Sequence, residues 1–285
     1  MSKMLVTGFT GNVGYEVAQA VRARGGDMVC GVRNVERAQS VHGDSYEYTV
    51  LDYGKPETYD SALAGIDRIF LNYPPETEFD AFHAFIDRAK VRGVQHITYL
   101  SIKDVQFMPF VPHYKNEKAI IRSGVPYTFV RAGYFMQNMN LFLLDELQKN
   151  QRIYVAAGKG KTSFIDVRDI AEVAAVSLLE GDQHKYKKYA LTGAEAFDFY
   201  EVARRMSEVL GFTITYSNPT IKEFKTYMLG KGLDPGYVNV VTGIHMATKI
   251  GLAGGITGTF TTLTGNTPRK LEQYVKDYRD YFVTK

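Results

Sequence analysis

The chain has 285 residues, of which 45% are hydrophobic and 23% are charged, and its formal net charge is +3 at pH 7. This length predicts one α/β domain with a modest extra lobe, and the small charge with scattered basic residues argues against nucleic acid as a partner. No run of about 18 apolar residues occurs, and the single Cys30 excludes an internal disulfide framework. We therefore expect a cytoplasmic protein with no signal peptide and no membrane partner.

Strand-like apolar runs alternate with helical patterns in the first half of the chain. Helices are predicted at 12–24 and 79–91, and strands at 3–7, 27–33, 46–51, 68–72, 96–101 and 127–131. In the second helix an apolar face recurs at helical spacing, opposite a charged face. Strands that alternate with helices indicate βαβ units. The sequence therefore predicts an α/β fold with a doubly wound parallel sheet.

The alternation loosens after residue 138. Helices are predicted at 141–149, 167–179, 199–210 and 268–282, a strand at 188–191, and a mobile loop at 251–265, which is rich in Gly and Thr. We expect residues 1–155 to form the core of this fold, to which the strand near 188–192 returns. Residues 196–285 would form a smaller α/β lobe.

A GxxGxxG turn follows the first predicted strand and opens the first predicted helix. Its glycines are Gly8, Gly11 and Gly14, and the residues beside them are Thr10, Asn12 and Val13. In a dinucleotide-binding fold such glycines make a tight turn, let the backbone approach the pyrophosphate, and let helix and strand pack closely. Free N–H groups at the helix start favour phosphate. The alternative is that the glycines only turn the chain.

The end of the second predicted strand bears on the choice of dinucleotide. NAD-binding folds place an acid there to bind the ribose hydroxyls, whereas a 2′-phosphate requires the acid to be absent and an arginine nearby. Here the strand ends with Arg33, and Arg37 follows without any acid at the strand end. The sequence therefore predicts NADP(H). Alternatively, both arginines could simply be exposed to solvent at the start of a helix, although cations are disfavoured there without an anion.

Several motifs resemble the NmrA-like branch of the atypical short-chain dehydrogenases. They are TGFTGNVG at 7–14, VRN at 32–34, HYKNEK at 113–118, YTFVRAGYFMQN at 127–138, SFIDVRD at 163–169 and LTGAE at 191–195. Within that branch the chain is most similar to the NADPH:quinone oxidoreductase and triphenylmethane reductase group. The resemblance implies an NAD(P)-binding Rossmann fold, in which residues 1–155 are the NADP-binding core. It also implies that the smaller C-terminal lobe at 196–285 caps the substrate and that a substrate cleft lies between the two.

The candidate catalytic residues follow the fifth predicted strand. Ordinary short-chain dehydrogenases use a serine, a tyrosine that donates a proton, and a lysine four residues after the tyrosine. Ser101, Tyr114 and Lys118 match that order, and we expect Ser101 to contact the cofactor. The resembling quinone reductases often lack the tyrosine and keep a histidine before it, where His113 stands. Tyr114 could therefore donate a proton or only pack. Lys118 could contact the cofactor or face water, and His113 could contact substrate or cap its helix.

Further cofactor contacts are expected where strands end at the switch point of the sheet. Asp52 follows the third predicted strand, and the resemblance places adenine near it. Asn72 and Tyr73 follow the fourth, beside the ribose and pyrophosphate. By resemblance, the loop after the sixth strand would flank the nicotinamide through Gly133, Tyr134 and Phe135, although the aromatic pair could equally be core. No histidine or cysteine spacing typical of a metal site occurs.

Two functions fit these features. In the first, the protein is an oxidoreductase that passes hydride from NADPH to a small-molecule acceptor such as a quinone. In the second, it is a redox sensor that binds NADP(H) and acts through a protein partner without turnover. The retained serine, tyrosine and lysine favour the enzyme. An epimerase or dehydratase would usually use NAD, against which Arg33 argues. The sequence leaves open whether the chain forms a homodimer.

Overall fold

The computed structural model describes residues 2–283. The strands are β1 Met4–Val6, β2 Met28–Val32, β3 Glu47–Val50, β4 Arg68–Leu71, β5 His96–Ile102, β6 Tyr127–Ala132, β7 Tyr134–Phe135, β8 Arg152–Ile153, β9 Thr162–Ile165, β10 Lys187–Leu191, β11 Ala196–Phe197 and β12 Thr215–Tyr216. The helices are α1 Asn12–Ala23, α2 Val35–His42, α3 Tyr59–Ala62, α4 Phe79–Val91, α5 Pro112–Ser123, α6 Leu144–Asn150, α7 Val167–Glu180, α8 Phe199–Leu210, α9 Ile221–Gly230, α10 Pro235–Lys249, α11 Thr259–Thr264, α12 Leu271–Asp277 and α13 Arg279–Phe282.

A seven-stranded sheet has the order β10-β6-β5-β4-β1-β2-β3, and every neighbouring pair is parallel. The chain runs outward from β1 to β3, then returns to β4 and runs outward on the other side. This reversal confirms the doubly wound Rossmann sheet. It also places the switch point between β1 and β4, and ligands of such sheets bind beside the carboxyl ends of the strands there.

The chain divides into two compact units. The first unit comprises residues 2–132, Val167–Leu191 and Thr259–Gly265, and it contains the seven-stranded sheet. The second comprises Gly133–Asp166, Thr192–Gly258 and residues 266–283, with a three-stranded sheet β11-β9-β7 and the pair β12-β8. The assignment of residues 1–155 to cofactor and 196–285 to substrate stays a prediction.

Apolar side chains on regularly spaced positions build the core of the first unit. On α4, Phe82, Phe85, Ile86 and Ala89 are fully buried, as their helical spacing predicts. Burying a side chain as large as Phe or Ile is worth about 1.5–3 kcal/mol. Cys30 is also buried, and desolvation raises the pKa of its thiol to about 12. The thiol is therefore protonated at neutral pH and packs as a small apolar group.

The run 251–265 is not the loop that its composition suggests. Residues 259–264 form α11, and the Ser163 backbone N–H donates to the Ala253 carbonyl at 3.0 Å. Ser163 Oγ donates to the Gly255 carbonyl at 3.0 Å as well. The predicted helix 268–282 is two helices, α12 and α13, because the helical pattern breaks at Tyr278.

Two helices of the second unit, α9 and α10, were not predicted, although both carry start signals. Thr220 and Glu223 form a capping box at α9. Asp234 caps α10, where Pro235 occupies the first turn. Across residues 2–283, the structure contains no helix with the length and apolar character needed to cross a membrane.

Candidate active site

The turn between β1 and α1 needs glycine at two positions for steric reasons. Gly8 has a φ of 66°, in the left-handed region, and a Cβ there would lie 2.6 Å from Asn72 Nδ2. A Cβ on Gly14 would lie 2.2 Å from the Gly8 carbonyl oxygen. The Gly14 contact cannot be relieved without moving the backbone, and the positive φ of Gly8 disfavours any residue with a side chain. These two glycines are therefore explained by the fold itself.

Gly11 has no such structural reason. A Cβ there would meet only the Gly8 carbonyl oxygen at 3.4 Å, an ordinary contact, and its φ of −101° suits any residue. Gly11 is exposed and caps α1, which has no side-chain cap and no acid in its first turn. The turn is thus an open cradle of backbone N–H groups at the positive end of a helix dipole, which fits a pyrophosphate. Thr10 and Asn12 are exposed beside it, and Val13 is buried.

A cluster of aromatic side chains, which the sequence analysis did not predict, packs against the buried side of this turn. Phe9, between the first two glycines, is fully buried. Its ring packs edge-on against His42 and Tyr46, with both centroid distances 4.9 Å, and against Tyr15 and Tyr48 at 5.7 and 5.6 Å. The buried ring fixes the turn while the neighbouring backbone faces outward.

Arg33 and Arg37 lie exposed beyond the end of β2. Asn34 Oδ1 accepts a hydrogen bond from the Arg37 backbone N–H at 2.7 Å and so caps α2. Within the described chain, neither guanidinium has a carboxylate at ion-pair distance. Both cations are therefore available to an anion such as a phosphate at this end of β2.

The ends of β3 and β4 hold the next candidates. Asp52 Oδ1 accepts from the Gly54 backbone N–H at 3.0 Å, which fixes a local turn. The Asn72 backbone N–H donates to Thr7 Oγ1 at 2.9 Å and so ties β4 to β1 at the switch point. Tyr73 donates its hydroxyl proton to the Thr77 carbonyl at 2.6 Å. All three side chains are half-buried at the carboxyl edge of the sheet.

Ser101 at the end of β5 is bound to a buried ion pair. Its hydroxyl donates to Glu117 Oε1 at 2.7 Å. Arg131 donates from Nε to Glu117 Oε1 at 2.9 Å and from a terminal nitrogen to Oε2 at 2.6 Å. A serine hydroxyl has one proton to donate. Ser101 therefore serves this bidentate pair, which joins β5, β6 and α5.

His113, in the first turn of α5, belongs to a second polar cluster on the same helix face. The Tyr99 hydroxyl lies 2.8 Å from His113 Nδ1 and accepts from Asn116 Nδ2 at 3.1 Å. Asn116 Oδ1 lies 3.0 Å from His83 Nε2. Burial lowers the pKa of His113 to about 4, against the opposing effects of the Glu117 charge and a hydrogen bond to the Leu100 backbone. His113 is thus neutral at pH 7.

Tyr114 and Lys118 share the other face of α5. Lys118 Nζ lies 5.4 Å from the centroid of the Tyr114 ring, a cation–π distance. Lys118 is exposed and Tyr114 is half-buried. The structure thus brings these two residues together, as their spacing predicts, while the Ser101 hydroxyl is directed to Glu117 instead. Their roles in catalysis stay predictions.

The remaining candidates belong to the second unit. Gly133 precedes β7, which consists of Tyr134 and Phe135. The Tyr134 hydroxyl lies 3.1 Å from Nε2 of the fully buried His245, whose Nδ1 donates to the Val241 carbonyl at 2.8 Å. Because Nδ1 carries the proton, Tyr134 donates to Nε2. Burial lowers the pKa of His245 to about 4.

No cluster of three or more metal-ligating side chains occurs among residues 2–283.

Comparisons with known sequences give matches along the whole chain. A model of the NmrA-like family matches residues 1–274. The NAD(P)H azoreductase of Xenophilus azovorans is 28% identical over 98% of this chain and 99% of its own. Quinone oxidoreductase 2 of Escherichia coli is 27% identical over 95% of this chain and 96% of its own.

Solved structures give the same picture. An NADPH-dependent quinone oxidoreductase from Escherichia coli, complexed with NADPH, superposes with a TM-score of 0.86 at 26% identity, and the match covers 97% of this chain and 99% of that one. Triphenylmethane reductase from Citrobacter, complexed with NADP(H), gives a TM-score of 0.82 at 25% identity with the same coverage. Both relatives therefore share the fold over nearly their full length.

Proposed function

Because the chain belongs to the NmrA-like family and is an NAD(P)H-dependent oxidoreductase, we propose that it transfers hydride from NADPH to a quinone or a similarly conjugated acceptor. The main support for cofactor binding is the open turn at Gly11. No contact within the protein requires a glycine at this position, whereas a ligand lying against the turn would require one. The sensor alternative is not favoured, since these relatives are named as reductases.

The exposed guanidinium of Arg33 favours NADP(H) over NAD(H). A charge-assisted hydrogen bond to the 2′-phosphate is worth roughly 1.5–3 kcal/mol, which corresponds to about a tenfold to hundredfold preference. No carboxylate within residues 2–283 competes for this guanidinium at ion-pair distance. NADP(H) therefore gains a contact that NAD(H) cannot make.

The acceptor is inferred from two considerations. The relatives' names point to azo, quinone and dye acceptors, all of which are conjugated. In this chain, the serine of the ordinary short-chain dehydrogenase set donates its proton to Glu117. A conjugated acceptor suits such a site, because its reduction can take a proton from water, whereas NADPH supplies the hydride when bound.

The roles of the other candidates follow from their places in the fold. We assign Asp52 to the adenine side, and Asn72 and Tyr73 to the ribose and pyrophosphate at the switch point. Lys118 is assigned to the nicotinamide ribose. Gly133, Tyr134 and Phe135 are assigned to the nicotinamide side, while Ser101 holds the end of β5 in place.

The test is NADPH oxidation by the purified protein with quinones, azo dyes and simple carbonyls as acceptors. We expect turnover with quinones and none with simple carbonyls. Turnover with carbonyls alone would contradict the proposed acceptor. Tight NADPH binding without turnover of any acceptor would favour the redox sensor over the enzyme.

A further inference from the structure

We propose that the exposed face of α10 is the interface of a homodimer, in which two copies of this chain pack their α10 helices against each other about a two-fold axis. The inference goes beyond the proposed function and does not depend on it. Three features support it: the apolar character of this face, its area, and a glycine in its middle that no contact within the chain requires.

Exposed large hydrophobic side chains are concentrated around α10. Of the 19 that are exposed within residues 2–283, eight lie in the run of 28 residues from 229 to 256. Single exposed hydrophobic side chains are normal on a protein surface, but large clusters mark sites of interaction. The concentration therefore indicates a surface that another molecule covers.

Seven of the eight side chains lie on α10 or directly beside its ends in the chain. On the helix, Val240 and Ile244 follow Tyr237 by three and seven residues, so these three side chains share one face. After the helix, the Leu252 backbone N–H donates to the Ala247 carbonyl at 2.9 Å, which folds the chain back onto the last turn. We call the seven residues the α10 strip: Leu229, Leu233, Tyr237, Val240, Ile244, Ile250 and Leu252.

The helix that carries the strip has no charged residue. The 14 residues from Pro235 to Thr248 include no Asp, Glu, Lys or Arg, although a helix face in contact with water normally carries them. In a two-fold dimer the same patch of both copies meets itself, so a charge near the axis would face a like charge. An uncharged apolar face avoids this repulsion. A second copy of the chain is therefore a partner that the face fits.

A lipid surface fits the strip less well. Helices that lie on a membrane combine an apolar face with lysines or arginines that reach the headgroups. The nearest lysines of α9 and the turn after it are already engaged, because Lys225 donates to Asn239 at 2.8 Å and Lys231 donates to Glu146 at 2.6 Å.

The α10 strip is large enough for a stable dimer. Each of its residues is 38–64% exposed, and seven side chains exposed to that degree present on the order of 600 Å². The exposed residues Gly236, Asn239 and Gly243 lie on the same helix and add to this area. A standard interface buries about 800 Å² on each partner, so the strip supplies most of what is needed.

Gly243, in the exposed part of α10, has no structural role within the chain. A Cβ there would meet nothing within 4 Å, and the residue lies inside a regular helix. Only proline is less favourable than glycine inside a helix. A glycine does allow another backbone to approach closely, as happens where two helices cross. We place Gly243 at this crossing, next to the two-fold axis.

The oligomeric state of the unaltered protein is the first test, by analytical ultracentrifugation over a range of concentrations. We expect a dimer with a Kd of about 1 μM or lower, since interfaces of standard area span affinities from micromolar to picomolar. A protein that is monomeric at about 100 μM would overturn the proposal.

Val240→Lys locates the interface. A lysine on each copy brings like charges together, so the Kd of the dimer should rise about a hundredfold or more. The matched control is Val91→Lys on α4, because Val91 is 71% exposed and Val240 is 63% exposed. Neither lysine enters the core, and circular dichroism checks the fold of both variants. A Val240→Lys protein that dimerises as tightly as the unaltered protein would contradict the role of α10.

Gly243→Ala separates the dimer interface from the stability of the helix. In dilute, monomeric protein the alanine should raise Tm by about 2 °C, because it favours the helix. The Kd of the dimer should nevertheless rise about tenfold, because two added methyl groups enter the crossing. An unchanged Kd would show that the helices do not cross at Gly243.

A disulfide then tests the two-fold axis directly. Cys30 is the only cysteine and is buried, so Gly243→Cys adds one accessible thiol to each copy. Two Cα atoms about 4.4–6.8 Å apart can be bridged. Mild oxidation, at a concentration where the variant is dimeric, should therefore give a covalent dimer, whereas Val91→Cys should not. A dimeric Gly243→Cys protein that does not cross-link would overturn the placement of α10 at the axis.

Discussion

The glycine turn and the β5–α5 pair both carry family motifs, yet sequence analysis explains them unequally. At the turn, the roles of Gly8 and Gly14 follow from backbone geometry, which the spacing of glycines reports directly. On α5, the spacing of Tyr114 and Lys118 shows that they share a face, but not which face of the helix meets the sheet. The structure turns His113, Asn116 and Glu117 towards β5 instead. A motif thus specifies backbone geometry better than it specifies the rotation of a helix.

The largest expected effect tests the turn. Gly11→Val should abolish NADPH binding while the protein stays folded, because the new side chain meets only open space and one ordinary contact until the cofactor arrives. Binding is measured by calorimetry, and folding by circular dichroism. Gly14→Ala is the contrasting variant and should fail to fold stably, since its Cβ would lie 2.2 Å from a carbonyl oxygen. Unchanged NADPH affinity in Gly11→Val would remove the turn from the site.

The α5 face is tested by two substitutions assayed with a quinone. Lys118→Ala should lower kcat/KM about tenfold to hundredfold, because loss of a ribose contact misplaces the hydride donor. Tyr114→Phe should change it by less than about threefold, whereas removal of a true general acid costs about 10²- to 10⁴-fold. A collapse of activity in Tyr114→Phe with normal NADPH binding would move the protein towards carbonyl reduction.

The preference for NADPH over NADH tests the role of Arg33 at the end of β2. Arg33→Ala should weaken NADPH binding by about tenfold to hundredfold and leave NADH binding nearly unchanged. Calorimetric titration of both cofactors gives the ratio. Arg24→Ala is a suitable control, since Arg24 lies at the opposite end of α1 and pairs with Glu172 at 3.9 Å. Equal affinity of the unaltered protein for NADH and NADPH would show that Arg33 does not read the phosphate.

A further effect concerns acid stability, and it compares one histidine from each of the two units. Burial holds the pKa of His113 in the first unit and of His245 in the second at about 4, below the unfolded value of about 6.5. The unfolded chain therefore binds more protons between these values. The stabilisation is complete above about pH 6.5 and is lost as the pH falls towards 4, at up to about 1.4 kcal/mol per pH unit for each histidine.

Urea unfolding at several pH values between 7.5 and 4.5 measures this slope. His245→Gln should reduce the slope by the share of that one histidine, because His96 and His113, whose pKa values burial also lowers to about 4, still titrate. The carboxylate of Glu146 does not titrate in the folded protein between pH 7.5 and 4.5. Burial alone would raise its pKa, but hydrogen bonds from Lys231, Tyr227 and Arg152 outweigh that effect and lower the pKa to about 2. A slope that His245→Gln leaves unchanged would show that this histidine does not titrate on unfolding.

The sequence predicts the Rossmann sheet well, because parallel strands and their crossover helices follow local periodicity. It predicts less of the run 251–265, which looks mobile by composition, although hydrogen bonds from Ser163, a residue far away in the chain, hold its first part at Ala253 and Gly255. The same limit applies to the site. Glu117 and Tyr99 matter only through partners that the fold brings to them, and no local pattern reports such pairs.

The aromatic cluster under the turn has a practical consequence for spectroscopy. The chain contains no tryptophan, so its ultraviolet emission comes from tyrosine. Tyr15, Tyr46 and Tyr48 pack around Phe9, directly beneath the backbone that we assign to the pyrophosphate. Ligand binding at the turn should therefore alter tyrosine emission, and the protein carries an intrinsic optical reporter that needs no label.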